Sequence, residues 1–269
     1  MKARDCIYIT GGSSGIGLGL AHHYAGSGCD VVLLARDQAK LDAAVDSCRK
    51  IQISPAQKIV GVSLDITAYS SLPTECDDVI AQHGVPDLII LCAGVAGNKM
   101  FLDTPAAEFD RIVDINLAGS REVARAVLPG MLLRGTGQIA FVSSMAGLTG
   151  IYGYSAYSAS KFAVTGLTQA LRQELAGTGV SVHLIRPPEV NTPMIAGESA
   201  DAVPQTRFLK DLVGTLEPDI AATKIARGLR RRKAVVVPGI RAGVMIWAAR
   251  HFPEIFARSC ELLLRCKFG

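Results

Sequence analysis

A chain of 269 residues, 49% hydrophobic and 19% charged, has the size of one large α/β domain with a sizeable core, which excludes disorder, a collagen-like repeat and a disulfide-knotted mini-protein. Seven cysteines, an odd number with no CxxC pair, point to reduced thiols in the cytoplasm. The net charge of +4 conceals an asymmetry, because residues 227–269 carry ten lysines and arginines against two glutamates while the rest of the chain is net acidic.

The opening MKARDC passes straight into a strand-like run with no long apolar stretch before a cleavage site, so no secretory leader is expected. No window holds 18 uncharged apolar residues, and no spanning helix is expected. A strand is predicted at 6–10 and a helix at 15–28. Between them lies Thr10-Gly11-Gly12-Ser13-Ser14-Gly15-Ile16-Gly17. Glycine lets the backbone turn tightly there and approach a pyrophosphate, while the helix start offers free N–H groups and a positive dipole end. A tight turn without a ligand is the plainer reading of the same residues.

The second strand, 30–35, ends one residue before Arg36, where a carboxylate would serve the ribose hydroxyls of NAD. A guanidinium suits a 2′-phosphate instead, and Ser13 or Ser14 adds a hydroxyl to the same group, which favours NADP(H). Asp37, next door, opposes that phosphate. A helix at 38–50 and a strand at 59–65 follow. Asp65 closes that strand, placed either to accept from the adenine amino group or to cap the next helix, 69–83.

The fourth strand, 87–93, leads into a helical pattern over 105–134 that Asn116 interrupts; its amide is a poor helix former unless it has a partner. It reads as a buried, water-holding group near Lys161 or as a kink. Ser144 closes the fifth strand, 137–144, and a helix at 157–177 carries Tyr157 and Lys161 on one face, four residues apart. An ammonium one turn away stabilises a phenolate. Tyr157 is therefore poised to give a proton to a carbonyl oxygen or take one from an alcohol, with Ser144 polarising the same oxygen.

After the sixth strand, 180–187, the segment 195–217 breaks the alternation and is expected to cover a ligand, with Val203, Phe208, Leu209 and Leu212 as its apolar lining. A seventh strand falls at 234–238. Continuously apolar runs suit central parallel strands with helices on both faces, so the fold class is α/β, a doubly wound parallel sheet (Rossmann fold) in one domain, 1–238. The tail, 239–269, mixes Trp247, Phe252, Ile255, Phe256 and Leu262 to Leu264 with five basic residues, and Pro253 divides it into two helices. Together with RGLRRRK at 227–233 it fits an interfacial segment on anionic lipid; packing against the domain or a partner subunit is the other reading. No aromatic platform accompanies the charge to suggest nucleic acid, and the five histidines lack metal-ligand spacing.

TGGSSGIG at 10–17, CAG at 92–94, Asn116, Ser144 and YSASK at 157–161, in this order and at these separations, resemble the short-chain dehydrogenase/reductase family over residues 5–240. That resemblance implies a catalytic tetrad: Tyr157 as proton donor, Ser144 orienting the carbonyl, Lys161 binding the nicotinamide ribose, and Asn116 anchoring a water relay. It also implies that Gly11, Ser13, Ile16, Arg36, Asp65, Ala93, Gly94, Tyr157 and Lys161 line NADPH/NADP+. Ser14, Gly15 and Gly17 join them in the glycine-rich turn, and Thr192 meets the carboxamide. The long helices resemble those of the family's dimer interface, which implies a homodimer or homotetramer.

Two residues depart from the family pattern. Cys92 stands where Asn is usual, which leaves a strand-bridging amide in doubt, and Pro187-Pro188 replaces Pro-Gly, which stiffens the loop into the lid. With residues 143–167 and RPPEVNTP at 186–193, these departures look like the branch of 3-ketodihydrosphingosine reductases. The likeness implies NADPH-dependent reduction of a long-chain lipid ketone by a cytoplasmic protein peripherally attached to a membrane. A hydroxysteroid or a 3-oxoacyl thioester is an alternative substrate, and a non-catalytic NADP(H) sensor a further reading.

Overall fold

All seven predicted strands are present in the computed structural model, which describes residues 4–195 and 203–268. They are β1 (Cys6–Thr10), β2 (Asp30–Ala35), β3 (Ile59–Ser63), β4 (Leu88–Leu91), β5 (Gly137–Val142), β6 (Val180–Ile185) and β9 (Val235–Val236). All pair in parallel, in the order β3-β2-β1-β4-β5-β6-β9. The order reverses between β1 and β4, and the loops leaving those two strands open a crevice at their carboxyl ends.

Successive strand residues face opposite layers, and here both layers are apolar. Ile9, Leu33 and Ile90 pack under α1 (Gly15–Gly26), α2 (Gln38–Arg49) and α8 (Pro218–Arg230). Tyr8, Ile89 and Phe141 pack under α3 (Leu72–His83), α5 (Ser120–Arg134) and α6 (Ser155–Glu174). Fully burying one such aliphatic side chain contributes about 1.5–3 kcal/mol. Helix α8, absent from the predicted segments, buries Ala221, Ala222, Ile225, Ala226 and Leu229, and it packs along α1.

Residues 105–134 form no single helix. Helix α4 (Ala106–Val113) passes through a π-helical turn, Asp114–Gly119, into α5. The irregularity falls on Asn116, where the sequence pattern is broken.

Two short strands, β7 (Glu189–Val190) and β8 (Thr215–Leu216), pair in parallel and bracket the predicted lid, which contains α7 (Pro204–Asp211). Residues 196–202 of that lid lie outside the described residues. The tail forms α9 (Ile240–His251) and α10 (Pro253–Phe268), divided at Pro253. Ala242 and Ile246 of α9 are buried against Met145, next to Ser144.

The basic run at 227–233 does not belong with the tail. It ends α8 and forms the turn into β9, on the amino-edge side of the sheet, and Arg230 lies close enough to His23, in the last turn of α1, to lower its pKa behind the larger effect of burial. The tail helices leave the opposite end of β9, so the two basic clusters that adjoin in sequence lie at opposite ends of that strand.

Candidate active site

Thr10 ends β1, and its buried hydroxyl accepts the backbone N–H of Cys92 at 3.0 Å and of Ala93 at 3.1 Å. That hydroxyl ties the loop after β4 to the glycine-rich turn. The Thr10 hydroxyl thus bridges β1 and the β4 loop through the backbone, while the Cys92 side chain packs against the apolar core. Gly11 has φ +67°, and a Cβ there would lie 2.8 Å from Ala93 Cα, while a Cβ on Gly17 would collide with the Gly11 carbonyl. The close approach of turn, loop and helix leaves room at α1 for a ligand. Ser14 stands at the N-cap of α1 without a side-chain capping bond, exposed at the cleft.

From this turn a single cleft runs across the carboxyl ends of the strands. Gly11, Ser14, Gly15, Ile16, Gly17, Ala93, Gly94, Ser144, Tyr157, Lys161 and Thr192 all line it. Ser13, Arg36 and Asp65 do not. Arg36 is exposed past β2 with its Nη1 4.0 Å from Asp65 Oδ2, an ion pair in contact with solvent. Asp37 is engaged at the N-cap of α2, accepting from Lys40 N at 3.1 Å, and Lys40 Nζ lies 3.3 Å from its other oxygen, so the Asp37 carboxylate pairs with Lys40 rather than with Arg36. Asp65 Oδ1 accepts from both the N–H and the hydroxyl of Thr67, which hold its carboxyl below the usual range against the opposing effect of burial. Its local role is a turn.

Tyr157 and Lys161 share one face of α6, with the Lys161 ammonium 5.6 Å from the Tyr157 ring centre. Lys161 is buried, donates to the Val142 carbonyl at 3.0 Å, and is pushed down to about 8 by loss of water. Beside it, burial pushes the Cys92 thiol up to about 11, so the neighbour is neutral. Ser144 follows β5, and its Oγ accepts the Ala146 N–H at 3.1 Å, which aims the hydroxyl at the start of a 3-10 turn.

Asn116 lies behind the cleft rather than in its lining. Its side chain accepts from Val95 N at 2.8 Å and donates to Val95 O and to Ser160 Oγ, each at 2.9 Å. Ser160 in turn donates to the Tyr157 carbonyl at 2.7 Å. The π-helical turn thus aims one amide at the β4 loop and α6 together, close to Gly94 and Lys161.

The family sequence model described as short chain dehydrogenase matches residues 5–202. The chain belongs to the short-chain dehydrogenase family. It is an oxidoreductase acting on CH–OH groups. A 3-ketodihydrosphingosine reductase of Bos taurus is 34% identical over 222 residues, covering 82% of this chain and 67% of the relative. The 3-dehydrosphinganine reductase TSC10A of Arabidopsis thaliana is 38% identical over 233 residues, 86% of this chain and 69% of the relative. Among solved structures, a short-chain dehydrogenase from Sphingobium yanoikuyae in complex with NADPH superposes with a TM-score of 0.78 at 27% identity, covering 96% of this chain and 95% of that one.

In this short-chain dehydrogenase the outer part of the cleft is lined mostly by apolar side chains. Leu209 and Leu212 of the predicted lid line it, whereas Phe208 turns away to meet Phe268 at 6.0 Å and Lys267 at 3.9 Å, and Val203 lies outside the lining. Sequence reasoning missed three tail residues in the wall, Met245, Phe256 and Cys260, and a charged cluster of Tyr154, Glu189 and Lys210. The apolar tail residues were visible in the sequence; their destination was not, because nothing local marks which face of a terminal helix returns to the domain.

Proposed function

We propose that this chain reduces 3-ketodihydrosphingosine to dihydrosphingosine with NADPH at a membrane surface. The observation that carries the reading is the joining of two halves in one cleft: Tyr157, Ser144 and Lys161 at its base, and an apolar outer wall built by α7, α9 and α10. Such a wall suits a long alkyl chain, and the chain's relatives carry the names of reductases for that ketone.

The glycine-rich turn and the N-terminus of α1 fit a pyrophosphate, and Arg36, free of Asp37, fits a 2′-phosphate. When bound, the dihydronicotinamide supplies hydride to the carbonyl carbon. Ser144 Oγ donates to the carbonyl oxygen and fixes its place, and Tyr157 gives that oxygen its proton as the alcohol forms. Lys161, held by the Val142 carbonyl, stabilises the phenolate that Tyr157 becomes, and Asn116 holds α6 against the β4 loop so that both groups keep their aim.

No helix among the described residues is long and apolar enough to cross a membrane. Ile240, Val244, Trp247, Phe252, Ile255 and Leu262 are exposed on the tail, beside its five basic residues, and support peripheral docking on anionic lipid. Leu133 and Phe162, exposed on α5 and α6, support a homodimer or homotetramer through those helices, and seven free thiols support a cytoplasmic setting. Incubating the purified protein with NADPH and 3-ketodihydrosphingosine, alongside NADH, a hydroxysteroid and a 3-oxoacyl thioester, tests the reading. Loss of nicotinamide absorbance should be fastest with the first pair; its absence there refutes the substrate.

A further inference from the structure

An apolar cleft for an alkyl chain has no need of a carboxylate, yet Glu189 lies in its wall, where charge is costly to bury. Thr215 Oγ1 donates to Glu189 Oε1 at 3.2 Å, across the β7–β8 pair, and fixes the carboxylate. The other oxygen, Oε2, meets the Lys210 ammonium at 2.9 Å, with both side chains largely buried at 17% exposure. The same ammonium donates to Tyr154 Oη at 2.8 Å and lies 4.8 Å from the Tyr154 ring centre. A carboxylate, a phenol oxygen and an aromatic face around one nitrogen are the parts of a site for a primary ammonium.

The cluster lies one ring from the chemistry, because Tyr154 packs edge-on against Tyr157 at 5.8 Å. Lys210 is carried by α7, a surface helix of the lid, whereas Glu189 and Tyr154 belong to the floor beneath it.

We infer that Glu189 and Tyr154 form the specificity site for a protonated amine adjacent to the ketone, and that Lys210 occupies it until substrate arrives. This rests on the ketoreductase reading above, whose substrate is a 2-amino-3-ketone, and adds to it the residues that recognise the amine. The substrate's ammonium displaces that of Lys210, exchanging one ion pair with Glu189 for another, and places its neighbouring carbonyl beside Tyr157 and Ser144. Neutral lipid ketones leave the site to Lys210 and lack that anchor.

The test uses the full-length NADPH enzyme and two short, water-soluble ketones, a 2-amino-1-hydroxy-3-ketone and the same 1-hydroxy-3-ketone without the amine. Wild type should prefer the amino-ketone in kcat/KM, and Glu189→Gln should reduce that preference by about 10- to 100-fold, mostly through KM, the range for loss of a bond to a charged group. Lys210→Met, which empties the site of its resident ammonium, should lower KM for the amino-ketone several-fold. An equal loss for both ketones in Glu189→Gln means the pair only fastens α7 to the floor, and overturns the inference; so does a wild type without preference. A Glu189-dependent preference in an enzyme that leaves 3-ketodihydrosphingosine untouched keeps the ammonium site and removes the lipid assignment. Reduction of that lipid with no dependence on Glu189 does the reverse.

Discussion

The Lys161 ammonium stands 5.6 Å from the centre of the Tyr157 ring, one helical turn along α6, and is anchored from behind by the Val142 carbonyl at 3.0 Å. One residue of β5 therefore holds the amine beside the phenol, and the placing of the two depends on the packing of α6 against the sheet.

Replacing Tyr157 with Phe removes the hydroxyl proposed as proton donor and keeps the ring that packs against Tyr154. Turnover should fall by at least about 100-fold, the usual scale of a positioned acid, while NADPH affinity measured by fluorescence stays within a few-fold. Turnover that survives the change assigns the proton donor elsewhere.

Burial brings Lys161 down to about 8 from its ordinary 10.5. Between those values the unfolded chain keeps a proton that the folded chain has released, so this residue's contribution to stability rises with pH through that window and its cost is fully present below it. Urea unfolding of the cofactor-free protein at pH 7.5 and pH 10.5 should show wild type gaining about 2–3 kcal/mol relative to Lys161→Met. Parallel behaviour of the two proteins means the amine is not desolvated.

Asn116→Ala strands the Val95 N–H and carbonyl and removes a partner of Ser160, all at a buried position. The expected loss is about 2–4 kcal/mol in chemical unfolding, with activity falling beyond what the unfolded fraction explains. A loss under about 0.5 kcal/mol, the scale of a neutral surface change, contradicts the bridging role.

Arg36→Ala should raise KM for NADPH by about 10- to 100-fold and change KM for NADH little, because the 2′-phosphate proposed to meet the guanidinium is absent from NADH. Steady-state kinetics with both coenzymes measure the ratio. A proportional rise for both means that Arg36 supports the loop rather than the phosphate.

Trp247→Glu and Ile255→Glu place charge on the exposed face of the tail and spare its buried residues Ala242 and Ile246. Co-sedimentation with anionic vesicles should be lost while melting temperature holds. A chain ending near Gly239 should lose both sedimentation and reduction of long-chain ketones, since Met245, Phe256 and Cys260 leave the cleft wall. Unchanged sedimentation in either case refutes docking through the tail.

The strands and their order of motifs were legible in the sequence because a parallel strand buried on both faces must be apolar along its whole length, and a run such as residues 30–35 announces this without reference to the rest of the chain. The glycine-rich turn and the spacing of Tyr157 and Lys161 are likewise local, set by backbone sterics and helical pitch. Asn116 breaks the helical pattern and reads as a buried group near Lys161 or as a kink; the π-helical turn and its bonds to Val95 and Ser160 require the facing segments. What only the tertiary structure decided is which distant segments meet. The basic run at 227–233 and the basic tail adjoin in sequence, yet they lie at opposite ends of β9. Glu189 and Lys210, 21 residues apart, become one buried pair because β7, β8 and α7 fold over the floor of the cleft. Periodicity records how a segment faces its own layer, whereas contacts between layers depend on where each segment is delivered, and no local pattern encodes that destination.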